Sequence, residues 1–474
     1  MLEGLEINEI SLLELKEESN IFRIDSEFFK KSLVLLDRKL RNKPHFFLSG
    51  ETVVSGPFGS TLTSGSYLDS GIPFIRIENI KTGFFISKEN LIYISKSDNE
   101  RIKSSQLEVD DLILSKVGNT IGYYARVDEE IGLCNISENN IGIKLSNYST
   151  DMKMYVLAYL NSKIGKALTI RRVSGNAQPK LNVADISEIP IPIVDKQILQ
   201  RMGKIITEAY LCLSNSTKAY SEAGKLLTDN LGLSNWTPII ACQNVKTLKE
   251  SLMSSGRLDA EYYQKKYDEL FEKLSHFDYD KLSDIVEIKK SVEPGSEAYQ
   301  DNGIPFIRVS DLTKFGVSKP DIFLSSKDYD IEKLKPRKDT ILLSKDGSVG
   351  IAYKVDEDLD CITSGAILHL NVYTPDYIPD YLTLVLNSIV VQMQASRDAG
   401  GSIIQHWKPS EISDVVIPFL PMEKQIEISS KVQESFKLRH ESKRLLEIAK
   451  QAVVIAISEN ETTAIKYIDS QIIN

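Results

Sequence analysis

Five residues, Ile72-Pro73-Phe74-Ile75-Arg76, return unchanged as Ile304-Pro305-Phe306-Ile307-Arg308, and the matches around them keep the same order. Upstream, Arg23-Ile24-Asp25-Ser26-Glu27-Phe28-Phe29 is answered by Arg257-Leu258-Asp259-Ala260-Glu261-Tyr262-Tyr263, with the charges and the aromatic pair preserved. Downstream, Leu112-Ile113-Leu114-Ser115-Lys116-Val117-Gly118 is answered by Ile341-Leu342-Leu343-Ser344-Lys345-Asp346-Gly347, and Leu160-Asn161-Ser162 by Leu386-Asn387-Ser388. Both copies close on a proline strand, Ile189-Pro190-Ile191-Pro192 and Val416-Ile417-Pro418, followed by Lys196-Gln197 and Lys424-Gln425. A period of about 230 residues is far too long for a solenoid, so the chain is a duplicated domain. Its 474 residues suit two cores with connecting helices.

Within each copy, short β-rich runs such as Leu112–Leu114 and Ala125–Val127 are punctuated by Gly, Asn and Pro, which predicts a mixed sheet with irregular loops. One helix is expected over Met152–Arg172. After the proline strand the pattern changes. Ile198, Met202, Ile205, Ala209, Cys212, Ser216, Ala219, Ala223 and Leu226 alternate in steps of four and three, the seam of a coiled coil. The second copy gives Ile428, Lys431, Ser435, Leu438, Ser442, Leu445, Ala449, Ala452 and Ala456, with Lys431 as an intruder. Seams this narrow do not hold a helix in water alone, so the two helices are expected to pair, antiparallel. The fold class read from the sequence is α+β: two tandem mixed α/β domains, each followed by a long helix.

Composition narrows the function. The formal charge of -9 is unsuited to coating nucleic acid indiscriminately, because that affinity comes from neutralised phosphates. The deficit is uneven: residues 1–240 are near neutral, and Lys153 to Lys180 holds six basic residues and no acid. Cys134, Cys212, Cys242 and Cys361 match neither zinc spacing nor a disulfide framework, and read as reduced thiols. No basic, apolar leader opens the sequence and no apolar run is long enough for a bilayer, so the expectation is a cytoplasmic protein without a membrane partner. The Gly-Lys pairs are not followed by Ser or Thr as a phosphate loop requires; no Asn-Pro-Pro-Tyr tetrapeptide is present; the five histidines have no ligand spacing. No catalytic or metal residues are assigned.

Two glycine-bearing loops per copy carry side chains suited to DNA. The first is Ser115 to Gly122, with Lys116, Asn119 and Thr120, matched by Ser344 to Gly350, with Lys345, Asp346 and Ser348. The second offers Arg171, Arg172, Ser174, Asn176, Gln178 and Lys180, matched by Arg397, Ser402, Gln405, His406 and Lys408. Arg, Asn and Gln can make paired hydrogen bonds to base edges, Ser and Lys can hold phosphates, and glycine admits close backbone approach. The bland alternatives are a strand turn for the first loop and a solvated loop for the second. Framework residues agree between the copies while loop residues differ, the pattern of two readers of different words.

In this order of motifs, repeated twice over essentially the full chain, the sequence resembles the specificity subunit of a Type I restriction-modification system. That resemblance implies target recognition domains at residues 1–195 and 233–423, a long spacer helix at 196–232, and a second one with a tail at 424–474. It implies a non-catalytic subunit that reads the halves of a split target in double-stranded DNA. Two methyltransferase (modification) subunits using S-adenosylmethionine would methylate adenine, and motor-nuclease (restriction) subunits would supply ATP- and Mg-dependent translocation and cleavage. The same architecture could instead serve a two-subunit restriction enzyme or another phage-defence methyltransferase, and a protein scaffold without a DNA role is the remaining reading.

If the helices set the distance between half-sites, deleting Ala209 to Cys212 should shorten the first by ~6 Å and rotate its seam by ~40°. Mapping methylated sites genome-wide in such a strain should show a spacer shorter by about one or two base pairs, with both half-site words unchanged. Changed words with a fixed spacer would remove the helices from that role.

Overall fold

The computed structural model describes residues 7–18, 23–48, 52–57, 59, 61–175, 179–241, 243–401 and 405–472, the side chain of Asn119 excepted. They form two compact units, Met1–Cys212 with His440–Asn474, and Leu213–Arg439.

The first unit carries a five-stranded mixed sheet in the order Val53–Ser55, Asn140–Ile143, Leu112–Ser115, Tyr124–Arg126, Phe84–Phe85. Beside it in sequence is a three-stranded sheet, Ile92–Ile94, Ile72–Ile75, Asn135–Ile136, with the repeated Ile-Pro-Phe-Ile as its middle strand. Ile75, Ile113, Ala125, Val127, Cys134 and Ile136 form one buried cluster. The second unit repeats the plan. Its four-stranded sheet runs Val286–Lys290, Ile367–Val372, Ile341–Ser344, Ala352–Lys354, and its three-stranded sheet again has Ile304–Ile307 in the middle. Pairing is antiparallel on one side of that middle strand and parallel on the other in both units. The mixed sheets, and the α+β class, are as the sequence implies.

The repeated motifs are joints. Asn161, in Leu-Asn-Ser, donates its amide to the carbonyl of Tyr124 at 2.8 Å and accepts from the same residue's N–H at 3.1 Å; Asn387 does so with Ala352 at 2.7 and 3.1 Å. A two-point bond to one strand residue needs the amide at a helix end, and it stops the helix there. The single helix expected over Met152–Arg172 is therefore two, Thr150–Asn161 and Lys163–Arg171, with the Ser162 hydroxyl accepting from the N–H of Gly165 to start the second. Buried tyrosines tie down the proline strands. Tyr155 and Tyr159 donate to the carbonyls of Pro192 and Pro190 at 2.8 and 2.6 Å, and Tyr381 to that of Pro418 at 2.8 Å.

From those strands spring the long helices, Lys196–Asn230 and Met422–Ser458. In the second unit Ser216 bonds Ser435 at 3.0 Å and Glu222 pairs with Lys431 at 2.9 Å, so ascending one helix descends the other: the pairing is antiparallel. In the first unit Ser442 donates to the carbonyl of Ala209 at 2.7 Å. Ser442 and Ser435 follow Ser216 and Ala209 at the spacing that separates Pro418 from Pro192, so the two contacts are equivalent. Ile198, Met202, Ile205, Ala209, Cys212, Ala219 and Ala223 are buried, as are Ile428, Leu445, Ala449, Ala452 and Ala456. The phase differs at two points. Val432 occupies the buried position assigned to Lys431, which turns outward to Glu222 and Glu434, and Leu227 is buried where Leu226 is half-buried, as is Leu438. A helix of 3.6 residues per turn drifts from a strict heptad, and the apolar neighbour one position on takes over. Among the described residues no helix is long and apolar enough to cross a membrane.

His369 lies in the ladder opposite Lys289 with its Nε2 2.8 Å from the Thr363 hydroxyl. Burial, then the Lys289 charge, pushes its imidazole down to about 4. The unfolded imidazole binds its proton near pH 6.5, so the contribution is complete above that value and drains away as the pH falls toward 4, by about 1–3 kcal/mol. Urea unfolding of wild type and His369→Gln at about pH 7.5 and pH 5 should show a smaller acid loss in the variant; equal losses would discount the residue.

Candidate functional site

The two loops singled out in each copy are one site. In the first unit Val117 faces Lys180 across an antiparallel bridge, and Lys180 faces Ser174 across another. Main-chain bonds hold the assembly: Leu181 N–H to Lys116 O at 2.8 Å, Gly118 N–H to Pro179 O at 3.3 Å, and Ser174 and Lys180 exchanging N–H groups at 2.9 and 2.8 Å. The second unit uses the same frame. Asp346 faces His406 and His406 faces Gly400, with Trp407 N–H to Lys345 O at 2.8 Å and Gly347 N–H to Gln405 O at 2.9 Å. The serine before each lysine closes its turn, Ser115 donating to the Val117 carbonyl at 2.8 Å and Ser344 to that of Ser348 at 2.5 Å. Gly118 and Gly347 have φ of +76° and +72°, which a side chain strains against, and a Cβ on either would point into open space.

Side chains on this shared frame differ. Lys116 is half-buried and donates to the Ser55 hydroxyl at 3.1 Å; Lys180 is exposed. Burial, then the like charge of Lys180, holds the Lys116 ammonium below the usual lysine range, with Glu138 pulling the other way. In the second unit Lys345 is buried against Asp346, whose other oxygen lies 2.9 Å from Nδ1 of the exposed His406. Ser348 and Gln405 are exposed, and Lys408 sits 3.4 Å from Glu411. Thr120 is half-buried, its hydroxyl without a partner. Asn176, Gln178, Ser402 and Cys242, and the side chain of Asn119, lie outside the described residues.

The arginines assigned to base reading are elsewhere. Arg171 and Arg172 are 1% and 2% exposed, and both bond the carboxylate of Asp37, itself 1% exposed, which also accepts from Arg41 at 3.1 Å. Arg171 reaches Glu18 at 2.7 Å and donates its Nε to the Phe28 carbonyl at 3.0 Å. Its guanidinium stacks 4.4 Å from the centre of the Phe28 ring, and Arg23 stacks 4.6 Å from the same ring. Arg23 then donates to the carbonyls of Arg172 and Val173 at 2.9 and 2.8 Å, where the second loop begins. The second unit repeats the sandwich: Arg257 and Arg397 lie 4.5 and 5.0 Å from the Tyr262 ring, and Arg257 donates to the Asp398 carbonyl at 2.8 Å. Arg257 holds the Asp259 carboxyl below the usual range, as one rigid pair. Arg171, Arg172 and Arg397 are thus anchors of the loop rather than its readers, and Lys345 is spent on an ion pair.

The partners of these anchors are exchanged between units. Phe271 stands where the first unit has Asp37, and Asp398 where it has Arg172. Arg397 stacks on Phe271 at 4.5 Å and makes two bonds to Asp398 at 2.7 and 3.2 Å. Arg171→Ala should strand Asp37 beneath the loop and cost about 3–5 kcal/mol in urea unfolding of the full chain. The double change Asp37→Phe with Arg172→Asp, which rebuilds the second unit's solution, should be milder than Arg172→Asp alone. Unchanged stability in Arg171→Ala with weakened DNA binding would restore these arginines as readers.

Comparison with known proteins agrees with this double architecture. The description "Type I restriction modification DNA specificity domain" matches residues 59–222 and again 275–450. Among the curated proteins compared, none matches. Similar solved structures include the S subunit of a Type I restriction-modification system from M. genitalium, 12% identical with a TM-score of 0.35, covering 90% of this chain and 96% of that one. The HsdS subunit from Thermoanaerobacter tengcongensis is 13% identical with a TM-score of 0.27, over 89% and 96%. With both halves of the sequence matched in register, this chain belongs to the family of Type I restriction modification DNA specificity domains.

Proposed function

We propose that the chain is the non-catalytic specificity subunit of a restriction-modification complex, reading a DNA target in two parts. One observation carries the reading. The same two-loop frame is built in both units from main-chain bonds, and it presents Val117, Ser174 and Lys180 in one and Asp346, Gly400 and His406 in the other. A frame fixed by backbone with exchangeable side chains suits recognition of two different words, because base edges are distinguished by side-chain donors and acceptors while the backbone sets their register. Methyltransferase subunits with S-adenosylmethionine would supply methyl transfer to double-stranded DNA so selected, and motor-nuclease subunits with ATP and Mg would supply restriction.

Selection from a random duplex library by the full chain together with the methyltransferase subunits should enrich two short words at a fixed separation. Substitution at Lys180 should alter one word and at His406 the other, each mismatch being worth about 1–3 kcal/mol. Absence of any enriched sequence would favour a protein scaffold instead.

A further inference from the structure

The two frames differ in charge as well as in shape, and the difference has a consequence for what each one holds. In the first unit the loop pairing brings Lys180 to the strand that carries Lys116, across the Val117 bridge. Among the described residues neither lysine has a carboxylate within ion-pairing distance; the Lys116 ammonium has only the Ser55 hydroxyl, at 3.1 Å. The two cations depress one another, Glu138 being the single acid that acts on Lys116. Like charges kept this close, on a frame whose Gly118 faces open space, are relieved by an anion between them. At the equivalent place in the second unit the charge is already satisfied, since Asp346 takes the Lys345 ammonium and the His406 ring together.

Resting on the DNA-recognition reading, we infer that the two frames divide their labour: Lys116 and Lys180 grip a backbone phosphate of the DNA, whereas the Lys345–Asp346–His406 network takes no phosphate and addresses a base edge. A carboxylate held between two donors keeps lone pairs that can accept from an exocyclic amine, and it repels a phosphodiester. The first unit would therefore supply sequence-independent grip, and the second discrimination.

Salt dependence separates these roles, because each phosphate neutralised releases condensed counterions and contributes about 0.9 to the slope of log affinity against log salt. Affinity of the full chain for a labelled duplex of arbitrary sequence would be followed by fluorescence anisotropy between roughly 50 and 200 mM KCl. The pair Lys116→Gln with Lys180→Gln should lower the slope by about 1.8, and Lys345→Gln with His406→Gln should leave it unchanged. Unfolding midpoints of both variants, measured alongside, show whether the frames remain folded; the single exposed changes Lys180→Gln and His406→Gln repeat the comparison with the buried lysines intact, the first expected to lower the slope by about 0.9 and the second by nothing. Equal slope changes in the two units, or none in either, would overturn the division alone. A wild-type chain that bound no duplex would overturn it together with the reading on which it rests.

Discussion

An aromatic ring held between two guanidinium groups is the contact on which both units turn. Phe28 lies between Arg23 and Arg171, and Tyr262 between Arg257 and Arg397. Arginine suits this position because its flat, weakly hydrated cation stacks on a ring face while its edge still donates in fixed directions. Those edge donors, from Arg23 and Arg257, end on carbonyls where a helix gives way to the second loop of the site. The beginning of each repeat is thereby locked to a point more than a hundred residues further along, and the loop leaves the helix in one direction only.

Parts of this were legible in the sequence. The Arg-x-Asp-x-Glu-aromatic-aromatic string was visible as a repeat, and so were the Ser-Lys-x-Gly turns, the Leu-Asn-Ser helix ends and the narrow seams, because each is a local pattern written twice. What they touch was not visible. Arg171 and Arg172 sit in a basic, acid-free stretch and have the chemistry of DNA contacts; only the fold brings Asp37 beneath them and takes them out of solvent. The helix break at Ser162 depends on a strand carbonyl at Tyr124, again a distant partner. At Lys431 and Val432 the heptad reading missed by a single residue, since polar and apolar neighbours compete for one phase of a helix that packs on its own unit as well as on its partner.

The exchange of partners around Arg171 and Arg397 shows how two copies of a domain can drift without losing the joint. A buried guanidinium needs a counter-charge, and the carboxylate can come from the neighbouring helix, as Asp37, or from the adjoining residue, as Asp398. Either solution alone is sound, and the half-exchanged forms are the costly ones, since Arg172 without Asp37 and Asp398 beside Asp37 each leave a charge poorly matched in a dry place. The aromatic Phe271 fills the volume that the carboxylate vacates and adds a cation–π contact.

The main-chain bonding of the paired loops bears on how such a protein can change. Because Leu181, Gly118 and their counterparts Trp407 and Gly347 hold the frame through N–H and carbonyl groups, any residue but proline at 117, 174 or 180 leaves those bonds intact. Substitutions there are free to accumulate under selection for a new word while the thermodynamic stability of the domain stays where it was. A lineage can therefore vary what it recognises in small, viable steps, and an engineer wishing to do the same can diversify three outward positions per unit without first stabilising the scaffold.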